Sequence, residues 1–339
     1  MLKVNGYLHT DLPEALLRRL LVLLEQHDQK ATLVLNGQRP VAALPPDQHM
    51  LGLAVDLGTH KIGAYLMDLE TGTILASGGA VNPQTAFGDD LPSRRRYANE
   101  HKEGAAAMQN AAVEGINRLA AELSAQVGVE TEAVVDCVIA GNTVMHHLLT
   151  GLPVSALVAA PHHPSQVDAM TFVSSQVGLK LAENALVYLP PNIANLVGGD
   201  HVSALLAAGA RHTLKTVLLL DLGALTEISL LHKGRHLVCS CGLQKNGDIA
   251  ADIRTGVTAL TREASIETED IDLALVGGDF DFTGHPLDLL LPDLPLKQIQ
   301  GVGNAAGQGA CELLLSTRKR EEAESMPEHT ENVDAAAGK

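Results

Sequence analysis

Two copies of one short pattern constrain this chain more than anything else in it. Residues 51–69, LGLAVDLGTHKIGAYLMDL, run as an apolar strand, an Asp-Leu-Gly-Thr turn from Asp56 to Thr59, and a second alternating strand. Residues 217–231, VLLLDLGALTEISLL, repeat strand, Asp-Leu-Gly turn and strand, with Asp221 and Gly223 in the places of Asp56 and Gly58. Such a turn suits a phosphate: Gly58, taking a positive φ, lets the backbone approach an anion, while successive N–H groups and the Thr59 hydroxyl donate to its oxygens. An acid at the strand end, as Asp56 is, can hold the water shell of a magnesium ion. One Asp-x-Gly turn is also ordinary punctuation after a buried strand. Two of them predict two similar lobes facing each other across a nucleotide.

A third segment fits the same scheme. In IDLALVGGDFDF, residues 271–282, an apolar strand runs into Gly277-Gly278, where missing side chains would let an adenine or ribose lie against the backbone. In order and type the three segments resemble the phosphate-1, phosphate-2 and adenosine motifs of the ASKHA superfamily of acetate and sugar kinases, Hsp70 chaperones and actin. Four longer segments narrow the resemblance: NPQTAFGDD at 82–90 with the arginines at 94–96, VIAGNTVMHHLLTGLPV at 138–154, VYLPPNIANLVGGDHVSALLAAG at 187–209, and VGNAAGQGACELL at 302–314. Together, over roughly residues 50–325, they resemble the ATP-dependent reductive activators of corrinoid proteins, the RACo-like group.

That resemblance implies an α/β fold of two actin-like lobes with a nucleotide cleft between them. It implies ATP and Mg2+ as cofactors, with Asp56 and Asp221 holding the ion through water. Gly58, Thr59, Asp221, Gly223 and Thr226 would contact phosphates, and Gly277 and Gly278 the adenosine. Asp200 stands in a Gly-Asp-x-x-x-Ala-Leu segment where related sugar kinases carry an acid near the terminal phosphate, so it is the candidate for orienting an attacking water, with Asp56 as its catalytic companion. Read locally, Asp200 is equally an N-cap of the helix after it, and Asn142 or Thr143 an ordinary N-cap rather than a cleft donor. The function implied is an ATP-dependent activator of a corrinoid protein or corrinoid methyltransferase, helping to return cob(II)alamin to cob(I)alamin with electrons from a separate donor.

One turn departs from that pattern. After Asp221-Leu222-Gly223 the chain has Ala224 and Leu225 where relatives carry small or polar donors, and only Thr226 and Glu227 restore polarity. An apolar side chain beside a phosphate strips it of solvation without replacing it. The alternative is therefore a non-hydrolysing module of the same fold that binds a corrinoid or redox partner. A small-molecule kinase shares the superfamily, but no substrate motif supports it.

Composition removes other classes. The chain has 339 residues, 46% apolar, which is enough for two cored lobes. With four phenylalanines, four tyrosines and no tryptophan, it lacks the stacking platforms of single-strand nucleic-acid binders, and a net charge of −16 opposes a polyanionic partner. No apolar run reaches the ~18 residues of a membrane span and the N-terminus has no signal-peptide pattern, so a cytoplasmic protein is expected. Cys137, Cys239, Cys241 and Cys311 match neither a ferredoxin nor a paired zinc spacing, so no iron–sulfur cluster is expected in the chain, although the corrinoid activators usually carry one in an N-terminal domain. Cys239 and Cys241, alternating at a strand end, read as packing rather than a redox pair, and the His146-His147 and His162-His163 pairs as structural rather than metal-binding.

Along the chain, residues 13–27 read as an amphipathic helix and 31–44 as a strand and turn, making 1–50 a lead-in unit. Lobe one is expected over 51–215, with a loop at 82–100 and a helix at 103–127 buried through Ala112, Ile116, Leu119, Ala120 and Leu123. Lobe two is expected over 216–318, with a helix near 247–263 and a closing helix from Gly301 to Leu315; 319–339 reads as an acidic, disordered tail.

Overall fold

The computed structural model of the chain describes residues 2–4, 7–9, 12–36, 39–157, 163–193, 196–209, 214–223, 225–242, 249–278 and 296–325. Ala224, His162, Asp279 and the tail from 326 lie outside them.

The lead-in unit holds a small hairpin, β1 (Leu2–Val4) and β2 (Tyr7–His9), then α1 (Glu14–Gln26) and a second hairpin, β3 (Thr32–Asn36) and β4 (Arg39–Leu44). Leucines at helical spacing, Leu16, Leu20 and Leu23, pack on Leu33 and Ala43. Val41, Ala42 and Leu44 join the neighbouring core instead, so β4 is buried on both sides and docks the unit onto lobe one.

Lobe one is a six-stranded sheet of order β7-β6-β5-β8-β10-β9, and lobe two a five-stranded sheet of order β13-β12-β11-β14-β15. The strands of lobe one are β5 (Leu51–Leu57), β6 (Lys61–Asp68), β7 (Ile74–Val81), β8 (Val134–Gly141), β9 (Met170–Val173) and β10 (Leu186–Leu189). Those of lobe two are β11 (Val217–Leu222), β12 (Leu225–His232), β13 (Arg235–Gly242), β14 (Leu273–Gly278) and β15 (Ile299–Gly303). Each sheet has three antiparallel strands in sequence and then a parallel strand added beside the first, β8 on β5 and β14 on β11, with β10 and β15 extending the parallel run and β9 closing lobe one antiparallel. This is the internal duplication that the paired Asp-x-Gly turns predict.

Parallel strands need crossovers, and helices supply them. Between β7 and β8 run α2 (Leu91–Glu100) and α3 (Gly104–Val127), and between β13 and β14 runs α6 (Ile249–Ala264). α3 buries the five residues expected of it. The stretch 82–100, expected as a loop, is a short 3-10 turn followed by α2. Its start was written in the sequence: Asp90 accepts from Ser93 N at 2.8 Å while the Ser93 hydroxyl reaches back, with Pro92 in the first turn.

Two further helices, α4 (Thr143–Thr150) and α5 (Gly199–Ala207), follow β8 and β10, and α7 (Ala305–Ser325) ends the described chain. The closing helix thus starts at Ala305 rather than 301, because 299–303 pairs with β14 as β15, and helix continues through Ser325 where a tail was expected from 319. Strand alternation shows what α5 and α7 cover. On β11, Leu218 and Leu220 face the α6 core, while Val217 and Leu219 face Ala204 and Leu205 of α5 and Ala305 of α7. α7 then crosses back, placing Ala310, Cys311 and Leu314 in the core of lobe one. The two helices touch at Gly309, where an added Cβ would lie 1.8 Å from the Ser203 carbonyl oxygen.

Candidate functional site

Strand alternation also aims the two aspartates. Asp221 shares the face of Val217 and Leu219, and Asp56 that of Gly52, against which Leu314 of α7 packs. Both acids therefore point from their own sheet toward the α5–α7 pair, and meet at one cavity of about 50 Å³ between the lobes. Its walls are Asp56, Gly58, Thr59, Asn142, Asp200, Asp221, Gly223, Leu225, Glu227, Gly278, Asn304 and Ala306. That volume holds a few water molecules or one phosphoryl-sized group.

The first turn is braced from behind. Asn82 Nδ2 donates to the Gly58 carbonyl at 2.8 Å, and Arg94 Nη2 to the Thr59 carbonyl at 2.6 Å. Arg94 is fully buried, donates through Nε to the Gly88 carbonyl at 2.9 Å, and has its pKa pushed down to about 10 by burial, against the pull of Asp89 and Asp90. The Asn-Pro-Gln and arginine segment thus works from behind the turn, holding its carbonyls. Gly58 does not adopt the positive φ expected of it, so its turn rests on these hydrogen bonds rather than on left-handed backbone.

Asn142 serves both roles left open by the sequence. Its Oδ1 accepts from Met145 N at 3.1 Å as the N-cap of α4, while Nδ2 donates to Thr59 Oγ1 at 3.2 Å at the cavity wall. Behind it, the buried His146 donates through Nε2 to the Ile139 carbonyl, 3.0 Å away, and lies beneath Gly199. Burial lowers its pKa to about 4, with His147 adding to the effect and the Ile139 bond opposing it. His147 is tied to the Thr143 carbonyl and to Ser165 N. Cys239 and Cys241 pack against Gly256 of α6, and all four cysteines are unbridged.

Asp200 is not the N-cap of α5. That position is Gly198, and Asp200 sits in the first turn, where a carboxylate is favoured by the helix dipole and accepts from His201 N at 2.9 Å. Burial first, then the charges of Asp221 and Asp56, raise its pKa well above the usual carboxylate range. Glu227, directly across the β11–β12 pair from Asp221, is raised for the same reasons, with burial first and then Asp200 and Asp221.

Of the residues singled out from sequence, Asp56, Gly58, Thr59, Asp200, Asp221, Gly223 and Gly278 come together at the cavity. Thr226 does not: it lies on the opposite face of β12 from Leu225 and Glu227, toward Ile228 and α6. Gly277 does not either; an added Cβ there would meet Val302 and Ala305, under the start of α7. Gly278 lines the cavity with φ 108° and within touching distance of Leu222. Leu225, expected to conflict with a phosphate, is indeed in the wall. Glu227 and Asn304 were missed. Glu227 was legible from the hairpin, whose closure sets 221 against 227; Asn304, which caps α7 by accepting from Gly307 N at 2.7 Å, carried no such signal.

The lining contains four carboxylates and neither lysine nor arginine. Like charges converging in a buried space are costly unless protonated or joined by a cation, so the donor set fits a hard divalent ion such as magnesium.

The comparisons agree with this architecture. A family model described as the RACo middle region matches residues 51–213, and one described as the C-terminal domain of RACo, the ASKHA domain, matches residues 243–339. The corrinoid activation enzyme RamQ of Eubacterium limosum is 26% identical over 254 residues, which is 74% of this chain and 42% of that protein. The chain thus spans less than half the length of that curated relative. The solved structure of a reductive activator for corrinoid, iron–sulfur protein superposes with a TM-score of 0.75 at 22% identity, covering 92% of this chain and 68% of that one. With a duplicated sheet, and two RACo family models that together match residues 51–213 and 243–339, the chain belongs to the RACo family and has its ASKHA fold.

Proposed function

We propose that the chain binds MgATP between its lobes and uses it to activate a corrinoid protein or corrinoid methyltransferase. The step assisted is the return of cob(II)alamin to cob(I)alamin, with electrons from a separate donor and no iron–sulfur cluster of the chain's own. The observation that carries this reading is the convergence of Asp56, Asp200 and Asp221, from both lobes, on one cavity with the braced Gly58-Thr59 turn. The similarity to a corrinoid activation enzyme supplies the direction of the chemistry.

Asp56 and Asp221 would hold the ion through its water shell, and the ion when bound neutralises phosphate charge. Thr59, Gly58 and Gly223 offer donors to the phosphate oxygens. Asp200, with its raised pKa, is suited to take a proton from the water it orients. Nucleotide held by both lobes favours their closed arrangement, and a partner that binds one arrangement better than the other is then driven by ATP.

Titration calorimetry with ATP and magnesium tests this. Weak but measurable binding is expected, with a melting temperature that rises with nucleotide in wild type and not in Asp56→Ala. No shift at millimolar ATP would favour the second reading, a non-hydrolysing interaction module, to which Leu225 in the cavity wall is the specific pointer.

A further inference from the structure

His201 follows Asp200 on α5 and is completely buried beneath the lobe-two sheet. Its Nδ1 lies 3.6 Å from Glu227 Oε2 and 3.8 Å from Asp221 Oδ2, and has no hydrogen-bond partner. One ligand atom from each of the three residues lies within 4.8 Å of the other two. Ions bound by imidazole and carboxylate at about 2.0–2.2 Å hold adjacent ligand atoms about 3.0–3.5 Å apart. The imidazole-to-carboxylate gaps are therefore only slightly wide for a shared ion, and Glu227 keeps Oε2 turned to the ring because its Oε1 accepts from Gly198 N at 3.3 Å.

The other side of the ring is fixed. His201 Nε2 is 2.6 Å from Ser229 Oγ, which is in turn 2.8 Å from His236 Nε2. When His201 donates to Ser229, and Ser229 donates to His236, Nδ1 carries a lone pair aimed between two carboxylates. A nitrogen lone pair and two acids facing one point call for a cation, and a second hydrogen bond that sets tautomer and ring orientation is the usual support of a metal-binding histidine. Register adds to this. Asp221 and Glu227 are opposite one another across antiparallel strands, a placement that disfavours two bare carboxylates.

We propose that His201, Asp221 and Glu227 form a site for a first-row divalent ion of the zinc, cobalt(II) or manganese(II) class. The nitrogen ligand separates it from magnesium, which takes oxygen donors and keeps its waters. Asp221 and Glu227 reach the cavity, so the remaining coordination positions open toward it and take water or an anionic oxygen. The site needs no nucleotide, since the three side chains supply it, but it shares Asp221 with the magnesium reading above, so the two ions would compete for that carboxylate.

The test uses the full chain, untagged, stripped of metal and free of nucleotide. Titration with Zn2+ should give one ion per chain at micromolar affinity or tighter, and the Co2+ form should show visible absorbance. Both should weaken at least a hundredfold in His201→Gln, and about 10- to 100-fold in Ser229→Ala, which removes only the ring's support. X-ray absorption of Zn2+-loaded wild type should show imidazole and oxygen scattering without sulfur, a readout that holds even where His201→Gln does not fold. Binding below one equivalent, equal binding in folded His201→Gln, or sulfur scattering from Cys239 and Cys241 would overturn the proposal. Magnesium-ATP titration of the same sample reports on the nucleotide reading separately.

Discussion

At the scale of single residues, the most sequence-opaque groups are those whose role depends on what surrounds them. His146 is an ordinary helix residue on paper; in the fold it sits between the end of β8 and the start of α5, neutral because charging it there would strand a cation in the core. Its folded pKa, about 4, lies below the ordinary imidazole value of 6.5, so between those values the unfolded chain takes up a proton that the folded chain refuses. Stability should therefore be intact above pH 6.5 and fall as the pH drops toward 4. The slope from this group is at most about 1.4 kcal/mol per pH unit. Urea melts across that range should show a shallower acid loss in His146→Asn than in wild type. Leu225 makes the opposite case, since the sequence alone marks it as a poor neighbour for a phosphate, and the fold sets it in the cavity wall. Leu225→Asn should raise nucleotide affinity tenfold or more, the worth of one recovered charge-assisted hydrogen bond at roughly 1.5–3 kcal/mol. Unchanged affinity in a folded variant would mean the second turn does not face a phosphate.

At the scale of elements, the strands were legible because apolar runs of Leu, Val and Ile bounded by Asp-x-Gly turns leave few other readings, and α3 because its apolar residues keep helical spacing. What misled was charge and boundary. Three successive arginines made 82–100 look like a solvent loop, yet Arg94 is buried as a brace for the first turn. Thr226 looked like a phosphate donor because it is polar and near the turn, but the two-residue period of a strand sends it to the far face. Gly301 and Gly303 were read into the closing helix, whereas β14 recruits them as an edge strand. The α5–α7 contact belongs to this scale. Gly309→Ala places a methyl group against the Ser203 carbonyl, and the helices must part. A loss of about 1–3 kcal/mol is expected, read by chemical denaturation. Nucleotide affinity should fall with it, because α5 carries Asp200; full affinity in the variant would show that the cavity tolerates movement of that helix.

At the scale of the whole molecule, the duplication was visible in sequence but its wrapping was not. Nothing local reveals that α5, which follows lobe one in the chain, packs beneath the sheet of lobe two, or that α7, which ends lobe two, returns to fill the core of lobe one. Only the three-dimensional exchange brings Asp56, Asp200 and Asp221 within one cavity. Among the described residues no helix is long and apolar enough to cross a membrane.

The exchange of α5 and α7 also makes the chain a clasp. A cut after Lys215 would sever the covalent link between two halves that each carry a piece of the other's interior: Ala204 and Leu205 on one side, Ala310 and Leu314 on the other. A protease site placed there should yield fragments that travel together through gel filtration and separate only in denaturant, while either fragment made alone should be insoluble or unfolded. Fragments that drift apart in buffer would mean the interlock contributes less than the peptide bond it spans.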